Sequence, residues 1–268
     1  MTQIAHIHDY QTEWCTTEYL KQYYLTETIP SDELAIYNAV LSYLHTERPH
    51  FARALEFGCG PTVHHSIPFI PYVQELHLAD YLPANLAAVQ QWLQGDSEAH
   101  NWDMYIKGVL QLEGVTTPGR LAVDIRRTQM RCKITQLKPG NLYWQRPLQE
   151  HATYPLVLSF YCADSATSSK AQWRLFMQRL FTLVEPGGTL ILSALHNATQ
   201  YHVGTRCFPS AQVTENDMYA ALRDGRFVPE TLDLRVVPVA EWAAEGFERI
   251  IIARAHKQPA ARPERWSL

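Results

Sequence analysis

The chain has 268 residues, 46% of them hydrophobic and 19% charged, a composition and length that suit one α/β domain with additions and suffice to bury a full core. A net charge of −4 without a basic stripe gives no footprint for nucleic acid, and no apolar run approaches the roughly 20 residues that span a bilayer, so neither a nucleic-acid nor a membrane partner is expected. Five widely spaced cysteines without a CxxC pair argue against a disulfide framework or a thiolate zinc site, and "MTQIAHIHDYQTEW" lacks the basic patch and apolar core of a secretory leader, so a cytoplasmic location is expected.

Residues 12 to 45 carry helical periodicity, and Pro30 followed by Ser31, Asp32 and Glu33 marks the start of a helix through Ile36, Val40, Leu41 and Leu44. This stretch reads as an N-terminal helical cap, residues 1–48, before an α/β body over 49–258 and a tail over 259–268, all one integrated domain. "RALEFG" is a buried strand and "ELHLADY" a second, joined by a short irregular helix that Pro68 and Pro71 interrupt. Pro83 opens a helix with Leu86, Val89, Trp92 and Leu93 on one face, and a second amphipathic stretch follows from Asp103 to Leu112. The polar segment 114–131 leads to a weak strand near "MRCKIT". "YPLVLSFYC" is a central strand by its continuous apolar run, and Lys170 to Val184 a helix stopped by "EPGG". "TLILSAL" is the next strand; then come a loop over 196–213, a helix near 215–223, and two final β runs, "ETLDLRVVPV" and "FERIIIARAHK". The fold class is therefore α/β: a doubly wound, mainly parallel seven-stranded sheet with a C-terminal antiparallel hairpin and the N-terminal cap.

In such a sheet ligands sit beyond the carboxyl ends of the strands, and glycines after the first strand let the backbone approach them. Gly58 and Gly60 in "EFGCGPT" fit that role, and Asp80, ending the second strand about 20 positions later, can accept ribose hydroxyls. Val63 stands where a dinucleotide fingerprint needs its third glycine, and there is no phosphate loop with its lysine. A phosphate-free nucleoside is left, and with the late "EPGGTLIL" the three signals spell S-adenosylmethionine as cofactor.

"EFGCGPT", "LADYLPANL" and "EYLKQYY", extended by "NWDMYIKGVLQLEG" and "SFYCADSA", resemble the nicotinamide, phenylethanolamine and thioether methyltransferases, class I enzymes with an N-terminal cap over the cofactor. The likeness runs from Tyr19 to the final strand. It implies that Tyr19 and Tyr24 close over the methionine and substrate end, and that Gly58, Gly60 and Thr62 hold the methionine portion. Asp80 and Asn85 would take the ribose and carboxylate ends, with Tyr81 against the adenine.

The sequence also departs from that family. His64 falls where the family places a tyrosine near the sulfonium, as a base or a hydrogen-bond donor. The doublet His64–His65 does not read as a metal site, because adjacent side chains diverge on a helix and no third ligand is at hand. Lys133 stands where an aspartate accepts the adenine amino group; having donors only, it cannot repeat that contact. Either the register is off by one there, or Ile134, Tyr81 and backbone groups hold the adenine. Phe160 and Tyr161 make the wall beside the sulfonium more aromatic. Ser193 occupies the position where relatives present a carboxylate to an amine or amide acceptor, and in the 196–213 loop Tyr201 and His202 are candidates for contact with a small-molecule substrate.

The reading that follows is an S-adenosylmethionine-dependent small-molecule methyltransferase, acting on a nitrogen of a biosynthetic metabolite as a monomer or homodimer. Positioning does most of the work, the aromatic faces of Tyr19, Phe160 and Tyr161 stabilise the sulfonium, and a hydroxyl acceptor would need His64 or His202 as base. Absence of an acceptor carboxylate motivates a second reading, a cyclase in which the cofactor's own α-amine attacks its γ-carbon to give azetidine-2-carboxylate and methylthioadenosine. A cofactor-binding protein without catalysis is the third.

Overall fold

Apolar runs become the strands of a seven-stranded sheet, and the computed structural model describes residues 10–260 of it and its surroundings. Most of the expected tail, from 261 on, lies outside the described residues. Three helices come first, α1 (Tyr10–Glu13), α2 (Thr16–Tyr24) and α3 (Ser31–Glu47). The body follows with β1 (Phe51–Phe57), a 3-10 stretch over His64–Tyr72, β2 (Val73–Asp80), α4 (Pro83–Gln94), α5 (Asp103–Leu112), α6 (Arg120–Lys133) and β3 (Ile134–Pro139). Next come β4 (Tyr154–Phe160), α7 (Lys170–Phe181), β5 (Val184–Leu195), β6 (Gln200–Val203), β7 (Arg206–Pro209), α8 (Glu215–Asp224), β8 (Asp233–Pro238) and β9 (Arg249–His256).

The strand order is β3-β2-β1-β4-β5-β9-β8. β1, β2, β3, β4 and β5 run parallel, while β9 is antiparallel to both β5 and β8, so the closing hairpin is present. Period-two alternation sends Leu156 and Leu158 of β4 to one face and Val157 to the other, and each face has its own core. Val40 and Leu44 of α3 and Ile106 and Val109 of α5 cover the first face; Trp173, Phe176 and Leu180 of α7 and Leu222 of α8 cover the second. β1 and β4 lie side by side while their connections leave in opposite directions, which opens a crevice at their carboxyl ends. Among the described residues no helix is long and apolar enough to cross a membrane.

Three expectations need correction. The segment 120–133 is helix α6 rather than a polar approach to a strand: it buries only Val123, Arg126 and Met130. Arg126 makes that burial possible, giving hydrogen bonds of 3.0 and 2.6 Å to Glu113 and 3.1 Å to the Ile67 carbonyl. The helix before β5 ends at Phe181, and "VEPGG" belongs to the strand, with a register shift against β4 between Tyr154 and Leu156. Finally, the loop over 196–213 folds into a two-stranded hairpin, β6 against β7.

Candidate active site

The turn after β1 is folded by its glycines. Gly58 and Cys59 donate backbone N–H groups to the Ala79 carbonyl at 2.7 and 3.1 Å, which draws the turn against the end of β2. Gly58 and Gly60 sit at φ +76° and +60°, where a side chain is strained, and a Cβ on Gly58 would collide with Cys162. Thr62 secures the far side, its hydroxyl donating to the Cys59 carbonyl at 2.8 Å.

Asp80 ends β2 beneath this turn and is 7% exposed. One oxygen accepts from Gly60 N–H at 2.8 Å, the other from Leu82 N–H at 2.8 Å and Asn85 Nδ2 at 3.0 Å. A carboxylate offers about four lone-pair directions, so three fixed donors leave one for a ribose hydroxyl. Burial raises the Asp80 pKa and the backbone donors oppose that. Asn85 is committed further, its oxygen accepting from Trp14 Nε1 at 2.9 Å and Thr16 Oγ1 at 3.0 Å. It joins the cap to Asp80 and also borders the cavity.

That cavity lies over the carboxyl ends of β1 and β4 and is lined by Tyr19, Tyr24, Gly58, Gly60, Thr62, Asp80, Tyr81, Asn85, Phe160, Tyr161 and Tyr201, all expected from the sequence. Tyr19 and Tyr24 hydroxyls lie 3.2 Å apart, and Tyr81 accepts from Gln11 at 2.9 Å. Burial pushes the hydroxyls of Tyr19, Tyr24 and Tyr161 up, so each keeps its proton and can donate. A glycine turn, a buried carboxylate and an aromatic-walled cleft fit the nucleoside, amino acid and sulfonium of S-adenosylmethionine.

Five expected residues do not line it. His64 is fully buried, stacked on Trp102 at 5.1 Å, and His65 takes the rim position instead, its ring stacked on Phe160 at 4.1 Å. Lys133 donates to the carbonyls of Ile70 and Val73 at 2.7 Å each, and Ile134 packs in the core. Ile134 is the first residue of β3, at the amino end of the sheet, whereas the cavity lies at the carboxyl end. Ser193 is buried inside β5 with an unpartnered hydroxyl, and His202 turns its Nδ1 toward the Glu245 carbonyl at 3.3 Å while its own carbonyl accepts from Tyr23. Neither His64 nor His202 is therefore placed to act as a base.

The sequence reading missed a carboxylate. Asp32, in the first turn of α3, is 6% exposed yet borders the cavity. Its oxygens accept from Trp242 Nε1 at 2.9 Å and Tyr161 hydroxyl at 3.1 Å. Burial, then the neighbouring Glu33, pushes its pKa up to about 7. Tyr161 reaches it from a left-handed backbone, φ +50°, a conformation that costs a non-glycine residue about 1–2 kcal/mol. The premise of the cyclase reading, a pocket without a carboxylate for an acceptor, does not hold. Tyr10, Trp14, Tyr23 and Phe247 were also missed; they complete the aromatic wall from the cap and the segment before β9.

The histidine doublet is corrected as well. The 3-10 turn brings the rings together at 3.9 Å between centroids rather than apart, and α3 supplies Glu33 to both. Burial works to raise the Glu33 pKa, but the two imidazoles hold it well below the usual range. Burial disfavours an imidazolium at His65, yet Glu33 and Glu56 outweigh it and lift its pKa to about 9.

A family model described as the NNMT/PNMT/TEMT family matches residues 2–250. Among curated proteins, mouse (Mus musculus) indolethylamine N-methyltransferase is 27% identical over 225 residues, covering 81% of this chain and 83% of that one. Human (Homo sapiens) nicotinamide N-methyltransferase is 24% identical, covering 67% of each. Two solved structures share the fold. Magnesium protoporphyrin IX methyltransferase of Synechocystis PCC 6803, with bound SAM, has a TM-score of 0.56 at 14% identity, covering 94% of this chain and 95% of that one. The 1,6-didemethyltoxoflavin-N1-methyltransferase of Burkholderia thailandensis, with bound S-adenosylhomocysteine, has a TM-score of 0.53 at 15% identity, covering 96% and 93%. With the glycine turn and Asp80 in place beneath an aromatic cap, the chain belongs to the NNMT/PNMT/TEMT family of S-adenosylmethionine-dependent methyltransferases.

Proposed function

We infer that the protein N-methylates a small aromatic amine of a biosynthetic pathway. The observation that carries this is Asp32, a buried carboxylate facing a cleft whose other walls are Tyr19, Tyr23, Tyr24, Phe160, Tyr161 and Phe247. Relatives named for indolethylamine and phenylethanolamine support the same acceptor class. Bound S-adenosylmethionine supplies an electrophilic methyl group on sulfur. Asp32, held by Trp242 and Tyr161, orients the acceptor nitrogen by its N–H groups and takes up the proton that nitrogen sheds on methylation. Aromatic walls keep water out and place π faces beside the cationic sulfonium.

The test is a panel of arylalkylamines incubated with the protein and S-adenosylmethionine, with products identified by mass spectrometry, repeated with Asp32→Asn. A methylated amine is expected from wild type. In the variant, loss of a charged hydrogen bond of about 1.5–3 kcal/mol should lower kcat/KM roughly tenfold to 150-fold while cofactor affinity holds. Methylthioadenosine as the sole nucleoside product, or equal rates for variant and wild type, overturns the reading.

A further inference from the structure

Methyl transfer makes no use of the pair His64–His65, buried at 0% and 5% exposure. His64 Nε2 lies 3.0 Å from Glu33 Oε1 and His65 Nε2 3.0 Å from Glu33 Oε2, and the ligand-type atoms of the three residues lie within 4.8 Å of one another. Both contacts are ion-pair contacts in which one carboxylate is shared by two rings. Both ring nitrogens of His64, Nε2 of His65 and Oε2 of Glu33 have no hydrogen-bond partner. Three buried ligand-type atoms this close together can face one shared centre. Ligand atoms placed tetrahedrally at about 2.0–2.2 Å from an ion are themselves roughly 3.3–3.6 Å apart.

The charge count points the same way. Glu33 and Glu56 are 2% and 1% exposed, and among the described residues neither has a lysine or arginine ion-pair partner. Once both imidazoles give up their protons to act as ligands, the two carboxylates carry two negative charges, which one divalent cation cancels. Glu56 stands behind the site, Oε1 3.6 Å from His65 Nδ1 and Oε2 accepting from Ser66 at 2.7 Å, in the place of the carboxylate that orients a metal-bound histidine. Access exists because His65 lines the cavity.

We propose that Glu33, His64 and His65 bind one divalent transition-metal ion of the zinc type. Two imidazole nitrogens and one carboxylate oxygen select zinc, cobalt or nickel over magnesium or calcium, which take oxygen ligands. The ion ties α3 of the cap to the turn after β1 and fixes the ring of His65 against Phe160.

The experiment uses the full chain, stripped with dipicolinate. It is titrated with zinc chloride by calorimetry, with metal counted after gel filtration, and separately loaded with cobalt(II) for its visible spectrum. His64→Ala and Glu33→Gln are run beside it. Wild type should bind one equivalent, melt at higher temperature with zinc and show the intense visible bands of four-coordinate cobalt, and both variants should lose all three. Binding below about a tenth of an equivalent in wild type, or an equivalent retained in both variants, overturns the proposal. Should the variants fail to fold, X-ray absorption of zinc-loaded wild type decides: two imidazoles and a carboxylate at about 2.0–2.2 Å support it. Sulfur in the shell, or a single imidazole, sinks it.

Discussion

Replacing Asp80 by Ala separates the two tasks of that carboxylate. In the free protein it fixes three donors, Gly60 N–H and Leu82 N–H at 2.8 Å and Asn85 Nδ2 at 3.0 Å. A hydrogen bond to a charged group contributes about 1.5–3 kcal/mol, but the three are not additive because water from the cavity can reach some of the stranded donors. A stability loss on the order of 2–4 kcal/mol follows. Cofactor binding loses in addition the ribose hydroxyl on the remaining lone pair, about 1.5–3 kcal/mol, or roughly tenfold to 150-fold in Kd. Asp80→Asn should be nearly as harmful, because its NH2 must face a donor at one of the two oxygen positions. The assay is calorimetric titration with S-adenosylmethionine and S-adenosylhomocysteine, with denaturant unfolding of the free protein alongside. A folded Asp80→Ala variant that binds either ligand as tightly as wild type refutes the assignment of Asp80 to the ribose.

Gly58→Ala forces a left-handed residue, about 1–2 kcal/mol, and drives its Cβ into Cys162, overpacking of about 1–3 kcal/mol at a site where Cys162 Cβ would lie 2.5 Å away. Cys162→Gly in the same chain should return the packing part; a Gly58→Ala protein with unchanged melting temperature contradicts both terms. Asp164, 1% exposed, has its pKa pushed up by burial from 3.8 to about 6. A raised carboxyl pKa means the folded state holds the proton more tightly. Its stabilisation is full below the unfolded pKa and disappears as pH rises through about 6. Relative to Asp164→Asn, whose amide oxygen can still accept from Leu195 N–H, wild-type unfolding free energy should fall by up to about 3 kcal/mol across that window. Parallel pH profiles for the two proteins refute it.

The sheet and the cofactor turn were legible because their signals are local: an apolar run breaking at Gly58, an acid at the end of the next strand, a proline opening α4. α6 was not, since its inward face carries Arg126 beside Val123 and Met130, and a buried arginine reads as solvent-exposed until Glu113 is seen to meet it. The pocket carboxylate was hidden in plain view. Asp32 and Glu33 fit a helix-start signal, and α3 does begin at Ser31, yet no side chain caps it. Counting on from Asp32 by fours reaches Ile36, Val40 and Leu44, all buried, so the inward stripe begins with an acid. That pattern was available in the sequence; the partners Trp242 and Tyr161 were not, because 210 and 129 residues separate them from Asp32. The divergence of α-helical neighbours fails for His64 and His65, because prolines at 68 and 71 leave the segment a 3-10 stretch whose rings converge.

Asn85 has a consequence for the order of events. The same amide that donates to Asp80 accepts from Trp14 and Thr16 of the entry segment. A ligand hydroxyl on Asp80 would share that carboxylate with Asn85, so occupancy of the pocket and the seating of the segment are expected to be coupled. The expected order is methyl donor before acceptor, checked by product inhibition: S-adenosylhomocysteine should compete with S-adenosylmethionine but not with the acceptor, and competition with both refutes it.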